Sequence, residues 1–194
     1  MLEDKCLCIH ELNENIINII NKYDKNVLLT FDDGLYSQFK YKDKINNKNR
    51  IYFICPSLVN TKEINDEDVT TYIAMSRHFY YNSNEYYMKL EHIKILIDKG
   101  YIIGAHSFYH ENVKYKLKRK LNYKNIDISR SFLSIKDENY IKNDTEKLLE
   151  WFDKYLNIKP IDYCYPFNNK TDKLESILKA YGFINFYGDK RIII

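Results

Sequence analysis

Two adjacent carboxylates are the first residues of this sequence whose type and position suggest chemistry. Asp32 and Asp33 follow the apolar run Val27–Phe31 and precede Gly34. Such a run predicts a buried strand, and the glycine after it predicts the turn where the strand ends. Because neighbouring like charges repel, both carboxylates stay ionised at neutral pH only if a cation or a set of hydrogen-bond donors compensates them. A metal ion is one such compensator.

A pair of histidines could supply the other ligands of such an ion. His106 and His110 follow a second apolar strand and are four residues apart. On a helical turn this spacing places both imidazoles on one face, where they can share an ion. One carboxylate and two imidazoles leave a coordination position open for water, which is the arrangement of a catalytic metal site. Zinc is the first choice for this ligand set, although nickel, cobalt and iron accept similar ligands.

These two stretches resemble the motifs of a known enzyme family. The runs Thr30-Phe31-Asp32-Asp33-Gly34 and His106-Ser107-Phe108-Tyr109-His110, in this order, are similar to motifs of the NodB-homology polysaccharide deacetylases, carbohydrate esterase family 4. The resemblance extends to Cys164-Tyr165-Pro166-Phe167 and covers roughly residues 26 to 190. It implies an α/β fold, an incomplete and distorted (β/α) barrel, with its metal site at the C-terminal ends of the strands.

The resemblance also implies a role for each matching residue. Asp32 is the general base that takes a proton from the attacking water. Tyr165 and Phe167 belong to the substrate and oxyanion part of the site, where the backbone N–H of Phe167 stabilises the tetrahedral oxyanion. The metal ligands are Asp33, His106 and His110.

One departure from the family pattern concerns the arginine that holds the catalytic aspartate. Family members carry it two residues before the proline of the third motif, where this chain has Cys164. The tyrosine and glycine expected after that proline are here Phe167 and Asn168. Arg77 is a candidate replacement for the arginine. Cys164 is predicted to be a buried, inert thiol, because the sequence places no cation or base beside it.

A second departure concerns the general acid that protonates the leaving amine. The family takes it from a late Leu-x-His, but none of the five histidines of this chain lies after His110. His78 is the candidate substitute, in the long loop predicted over residues 57–84. His10, at the end of the first strand, could line the same edge of the sheet, although a packed structural role is the expectation. A metal-bound water could also return the proton unaided, at a cost of about 10²–10⁴ in rate.

Two functions from different classes are consistent with these residues. The first is a metal-dependent deacetylase that hydrolyses an N-acyl group, chiefly N-acetyl, on an amino sugar or glycan precursor. The second is a catalytically impaired carbohydrate-binding or scaffold protein that retains the fold and the metal site. The missing arginine and late histidine favour the second function, whereas the intact metal set and Asp32 favour the enzyme.

The elements that must position these residues alternate between strand and helix. This alternation predicts an α/β fold with a mainly parallel sheet and outer helices, in a single domain over residues 1–194. The predicted strands cover residues 5–10, 27–31, 50–55, 101–105, 161–165, 183–187 and 191–194. The predicted helices cover residues 11–23, 36–49, 85–99, 113–121, 143–155 and 171–181.

Composition and charge limit the cellular compartment and the classes of binding partner that the sequence predicts. A net charge of +3 is too small to indicate nucleic-acid binding, and no run reaches the ~20 apolar residues of a membrane span. Four unpaired cysteines and the lack of a signal sequence favour the cytoplasm. The basic segment Lys114–Lys120 indicates a solvated helix face, or alternatively a site for a nucleotide-linked or lipid-linked sugar. The sequence leaves the oligomeric state open.

Overall fold

The computed structural model describes residues 6–110, 133, 136–188 and 190–194. The chain divides into two compact units. The first consists of Met1–Ile54, Leu58–Gly104 and Lys190–Ile194, and the second of Cys55–Ser57 and Ala105–Asp189. The single domain over residues 1–194 stays a prediction.

Seven strands and six helices are present in the described residues. The strands are β1 (Cys6–Ile9), β2 (Leu28–Phe31), β3 (Arg50–Ile54), β4 (Ile102–Ala105), β5 (Asp162–Cys164), β6 (Asn185–Tyr187) and β7 (Ile192–Ile193). The α-helices are α1 (Glu14–Ile20), α2 (Tyr36–Lys40), α3 (Thr71–Tyr81), α4 (Leu90–Asp98), α5 (Glu138–Leu156) and α6 (Asp172–Ala180). Three short 3₁₀ turns cover Lys42–Lys44, Pro56–Leu58 and Pro166–Asn168.

The sheet of the first unit has the strand order β4-β3-β2-β1-β7. β1 runs parallel to both β2 and β7, and β2 runs parallel to β3. In the β1–β2 pair, Ile9 lies opposite Phe31. Because parallel strands end at the same edge of a sheet, the residues that follow them, His10 and Asp32, lie side by side.

Two helices of the first unit, α1 and α4, have ends that the sequence marks. The Asn13 side chain accepts a hydrogen bond from the Ile16 N–H at 3.1 Å and begins α1. α4 buries Ile93 and Leu96, and the left-handed Gly100 follows its last turn. These helices cover apolar strands, so most of the core is aliphatic and aromatic.

The second unit contains the end of β4, followed in the sheet by β5 and β6. Ala105 pairs with Tyr163, and β5 and β6 run parallel. α5 buries Ile141, Leu148 and Phe152 on one face, which is the period of an amphipathic helix. The parallel strands and crossover helices of both units confirm the predicted α/β class.

Two differences from the predicted elements have clear physical causes. α3 lies in residues that were expected to form a loop. It fully buries only Ala74, so its sequence shows no apolar stripe from which a helix could be predicted. α5 begins at Glu138 rather than near Asn143, because the Asp137 side chain caps it by accepting from the Tyr140 N–H. The basic segment and the helix predicted over 113–121 lie outside the described residues. No helix among the described residues is long and apolar enough to cross a membrane.

Gly34 and Gly100 both have a left-handed backbone, but only Gly34 is also closely packed. Replacing each with alanine therefore distinguishes the free energy of backbone strain from that of steric crowding. Gly34 and Gly100 have φ of +78° and +81°. A Cβ on Gly34 would lie 3.2 Å from Ile54 Cδ1, whereas a Cβ on Gly100 would meet nothing within 4 Å. We expect Gly100→Ala to lower the free energy of unfolding by about 1–2 kcal/mol, and Gly34→Ala to lower it by more, since Ile54 must also move.

Urea denaturation of both variants and of the wild-type protein measures this difference. An equal loss in the two variants would show that the close approach of Gly34 to Ile54 carries no free energy.

Candidate functional site

Asp32 of the first unit forms a buried ion pair with Arg191. Arg191 Nη1 lies 2.7 Å from Asp32 Oδ1, and Arg191 Nη2 lies 2.8 Å from Asp32 Oδ2. The side chains are each about 3% exposed, so both charges have left water. A bidentate pair of this kind fixes the plane of the carboxylate as well as its charge. Asp32 is therefore held ionised and in one orientation.

The pairing of Arg191 with Asp32 was not predicted from the sequence. Arg191 directly precedes β7, and β7 pairs with β1 through Leu7 and Ile192. Nη1 of Arg191 also donates to Thr30 Oγ1 at 2.9 Å. The other candidate arginine, Arg77, pairs instead with Glu85, its Nε 3.7 Å from the carboxylate. A sequence signal did exist, because a charged residue at the head of an apolar terminal strand must be paired when it is buried.

Two further side chains of the first unit contact Asp32. Cys8 Sγ donates to Asp32 Oδ2 at 3.4 Å. Burial, together with the negative charge of Asp32, raises the pKa of the Cys8 thiol well above its usual range, so the thiol keeps its proton. Gln38 Nε2 donates to the backbone carbonyls of His10 and Asp32, each at 2.6 Å. The amide of Gln38 therefore ties together the residues that follow β1 and β2.

Asp33, next to Asp32, adopts a strained backbone conformation. The φ angle of Asp33 is 71°, and the residue is 3% exposed to solvent. Thr71 Oγ1 donates to Asp33 Oδ2 at 3.0 Å, and the Thr71 N–H donates to Glu11 Oε2 at 3.1 Å. The first residue of α3 therefore helps to orient the Asp33 carboxylate.

His78 lies on α3, seven residues beyond Thr71. Seven residues of α-helix correspond to a rise of about 10 Å. Nδ1 of His78 is hydrogen-bonded to Asn84 Oδ1 at 2.6 Å. Within residues 6–110, 133, 136–188 and 190–194, His78 belongs to no cluster of three histidine, cysteine or acidic side chains. Its role as the general acid stays a prediction.

The two histidines of the second motif are buried together in the second unit. His106 and His110 are 2% and 3% exposed, and their ring centroids lie 5.0 Å apart. Nδ1 of His106 lies 2.9 Å from the Cys164 carbonyl oxygen. A carbonyl can only accept, so Nδ1 of His106 carries the proton and Nε2 keeps the lone pair that a metal requires.

An irregular loop, rather than the expected helical turn, brings these two rings together. Ser107 and His110 have φ of 58° and 46°. The buried Asp144 carboxylate accepts the N–H groups of Phe108 and Tyr109 at 3.0 and 3.3 Å. Asp144, which projects from the interior of α5, therefore fixes this loop.

Tyr165 and Phe167 lie in the third motif of the second unit. Tyr165 is buried, and its hydroxyl donates to Glu175 Oε2 at 2.9 Å. Burial and the Glu175 carboxylate raise the pKa of Tyr165 well above its usual range, so it stays neutral. Phe167 has φ of 57°, and its ring centroid lies 4.9 Å from that of His110. Cys164, beside them, is buried as predicted.

Left-handed backbone is concentrated in the three motifs. Seven described residues other than glycine have positive φ, and two of them, Asn82 and Asn157, are ordinary helix C-caps. The other five all lie in or beside a motif: Asp33, Ser107, His110, Phe167 and Asn168. Such strain persists only where the surrounding contacts impose it, and it collects at functional sites.

Comparison with solved structures establishes the fold. IcaB from Ammonifex degensii has a TM-score of 0.59 and 16% identity, covering 98% of this chain and 92% of its own. A de-N-acetylase from Aggregatibacter actinomycetemcomitans has a TM-score of 0.62 and 13% identity, covering 97% and 92%. The polysaccharide deacetylase BC0361 of Bacillus cereus has a TM-score of 0.55 and 14% identity, covering 98% of this chain and 64% of its own.

These similarities confirm the predicted fold, the incomplete (β/α) barrel of the NodB-homology deacetylases. No protein-family model matches the sequence, and no curated protein sequence is significantly similar to it.

The ion pair between Asp32 and Arg191 can be tested through stability. Arg191→Met leaves the buried carboxylate without its guanidinium, and we expect the free energy of unfolding to fall by about 3–5 kcal/mol. Adding Asp32→Asn removes the second charge, and we expect the double variant to recover most of that loss.

Denaturant titration of the wild-type protein, the two single variants and the double variant gives the coupling free energy. A double variant as unstable as Arg191→Met would show that Arg191 stabilises the fold by packing rather than by charge.

Proposed function

We propose that this protein is a metal-dependent deacetylase that hydrolyses an N-acyl group, chiefly N-acetyl, on an amino sugar or glycan precursor. The observation that carries the proposal is the buried pair of Asp32 and Arg191. Burying two charges costs several kcal/mol of desolvation, and an apolar pair of similar volume would be as stable or more so. An oriented, ionised carboxylate is what a general base requires.

The residues proposed to hold the divalent ion are Asp33, His106 and His110. When bound, such an ion polarises the acyl carbonyl and lowers the pKa of a water toward neutrality. The donor set fits this role, because His106 presents Nε2 while its Nδ1 is held by a carbonyl. Asp33 belongs to the first unit and the histidines to the second, so their common ion rests on the resemblance in sequence. Zinc remains the first choice, with nickel, cobalt and iron as alternatives.

The other residues of the site are proposed to orient the substrate and move protons. Asp32 takes a proton from the water that attacks the acyl carbon, and Arg191 keeps its carboxylate in the reactive orientation. The N–H of Phe167 is proposed to stabilise the oxyanion. Tyr165, held by Glu175, shapes the substrate side of the same motif.

The substrate class follows from the shared fold and stays a proposal. The similar structures include a de-N-acetylase and a polysaccharide deacetylase, which supports an N-acetylated sugar or oligosaccharide for this chain. A nucleotide or lipid linkage remains a proposal, since the basic segment that suggested it lies outside the described residues. Action in the cytoplasm on a precursor is likewise proposed from the sequence.

The alternative, a carbohydrate-binding or scaffold protein without catalysis, loses one of its two supports. It rested on the missing arginine of the third motif and the missing late histidine. Arg191 supplies a guanidinium to Asp32 from another part of the chain. The deacetylase still requires a general acid to protonate the leaving amine, and the missing late histidine is the remaining support for the binding protein.

Acetate release from a panel of N-acetylated sugars, nucleotide sugars and chitooligosaccharides tests the proposal. We expect the zinc- or cobalt-loaded protein to release acetate and the chelator-treated protein to lose activity. Asp32→Asn should lower the rate by about 10²–10⁴, because the base is removed. His110→Ala should abolish both activity and stoichiometric metal binding.

The matched control is Asp162→Asn, which changes another buried carboxylate, on β5. Asp162 accepts hydrogen bonds from Asn185 and Tyr187 and lies outside the motifs, so we expect activity close to that of the wild-type protein. Bound metal without acetate release from any substrate would instead support the binding protein.

A further inference from the structure

Asp33, the proposed carboxylate ligand of the metal, lies in a turn just beyond the end of β2. Its φ of 71° is in the left-handed region, and the residue is buried. Because Asp33 belongs to no strand or helix, regular secondary structure does not set the direction of its carboxylate. An ion is bound tightly only when its ligands already point toward it. Contacts from elsewhere in the fold must therefore hold Asp33.

Thr71, the first residue of α3, makes such a contact. Its Oγ1 lies 3.0 Å from Asp33 Oδ2. An ionised carboxylate can only accept, so the hydroxyl donates and its single proton is committed to Asp33. A neutral donor leaves the negative charge of a carboxylate in place, whereas the guanidinium of Arg191 balances the charge of Asp32. Thr71 is therefore a partner suited to a metal ligand, as Arg191 is to a base.

The backbone of Thr71 is held by a second carboxylate. The Thr71 N–H donates to Glu11 Oε2 at 3.1 Å, and Glu11 lies two residues beyond the end of β1. The first N–H groups of a helix have no partner within it, and a negative charge is favourable at that end. Thr71 thus connects a residue that follows β1 with one that follows β2. Because both bonds come from one residue, its hydroxyl is fixed relative to the sheet.

Apolar packing holds α3 only weakly. Of its eleven residues, all of which the structure describes, Ala74 alone is fully buried. An alanine side chain removes little apolar area from water, so the polar contacts of Thr71 are a main constraint on the N-terminus of α3. A purely structural role, in which the hydroxyl holds α3 rather than Asp33, is the alternative that an experiment must separate.

We propose, on the basis of the function proposed above, that Thr71 is a positioning residue that holds the Asp33 carboxylate in the orientation that binds the metal. The hydroxyl engages Oδ2 and so limits rotation of the carboxylate. Without it the carboxylate samples more orientations, and an ion that binds must restrict them, which lowers the affinity. Removing a group that hydrogen-bonds to a metal ligand typically lowers metal affinity by about 10- to 100-fold.

Zinc titration of the full chain, stripped of metal with a chelator, measures this effect. We expect Thr71→Val to raise the Kd for Zn²⁺ by about 10- to 100-fold. Valine keeps the branched shape and the backbone N–H to Glu11 and lacks only the hydroxyl. Thr71→Ser retains the hydroxyl, so its Kd should stay within about threefold of wild type.

The matched control is Thr70→Val, one residue earlier. Thr70 Oγ1 accepts a hydrogen bond from the Ile73 N–H at 3.4 Å and so caps α3. Its loss weakens the same end of the helix without removing the donor to Asp33, so we expect a Kd within about threefold of wild type.

Two further measurements accompany the titrations. The visible spectrum of the cobalt-loaded protein should change in Thr71→Val and match wild type in Thr70→Val, because it responds to the arrangement of the ligands around the ion. Thermal unfolding of each metal-free variant shows that the chain is folded.

Three outcomes would overturn the assignment. An unchanged Kd in Thr71→Val would show that Asp33 keeps its orientation without the hydroxyl. An equal loss in Thr70→Val would show that Thr71 acts by holding α3. A Thr71→Ser variant as weak as Thr71→Val would attribute the effect to packing.

Failure of the proposed function gives different results. A wild-type protein that binds no Zn²⁺ would refute the proposed metal site itself, and this appears before any variant is made. Zinc binding that depends on Thr71, in a protein that releases no acetate, would support the positioning role and refute the deacetylase.

Discussion

The buried ion pair of Asp32 and Arg191 is the constraint on which the first unit depends. Two desolvated charges are tolerated only when each is fully engaged, and here Thr30, Cys8 and Gln38 complete the bonding around the pair. These contacts involve β1, β2, α2 and the residue before β7. The same interaction that closes this end of the sheet also holds the Asp32 carboxylate in one orientation, so stability and the proposed role of Asp32 as the base rest on one arrangement.

In the second unit, two imidazoles are held close together by a loop whose backbone conformation is unfavourable. Left-handed conformations at Ser107 and His110 each cost of order 1–3 kcal/mol. The Asp144 carboxylate, which accepts two N–H groups of the loop, offsets part of that cost. The Cys164 carbonyl then fixes the ring of His106. Strain is thus stored at the histidines and compensated by α5 and β5.

Several features were foreseen because they depend on local sequence. Apolar runs followed by polar residues predicted the strands and placed Asp32, Asp33, His106 and His110 at strand ends. α3 was missed because it buries a single residue completely and so lacks periodicity. A helical turn was expected between His106 and His110 because they are four residues apart. This prediction was wrong, because Ser107 and His110 adopt left-handed backbone conformations.

The sequence by itself determined the α/β class, the strand ends that carry the candidate site residues, and the candidate metal ligands. These features follow from periodicity and residue type along short stretches. Only the tertiary structure decided that Arg191 holds Asp32, 159 residues away along the chain. It likewise decided that His10 stands beside Asp32 and that Asp144 supports the histidine loop. These pairings depend on strand register and helix packing, which are set by contacts between distant segments and leave no periodic signal in the sequence.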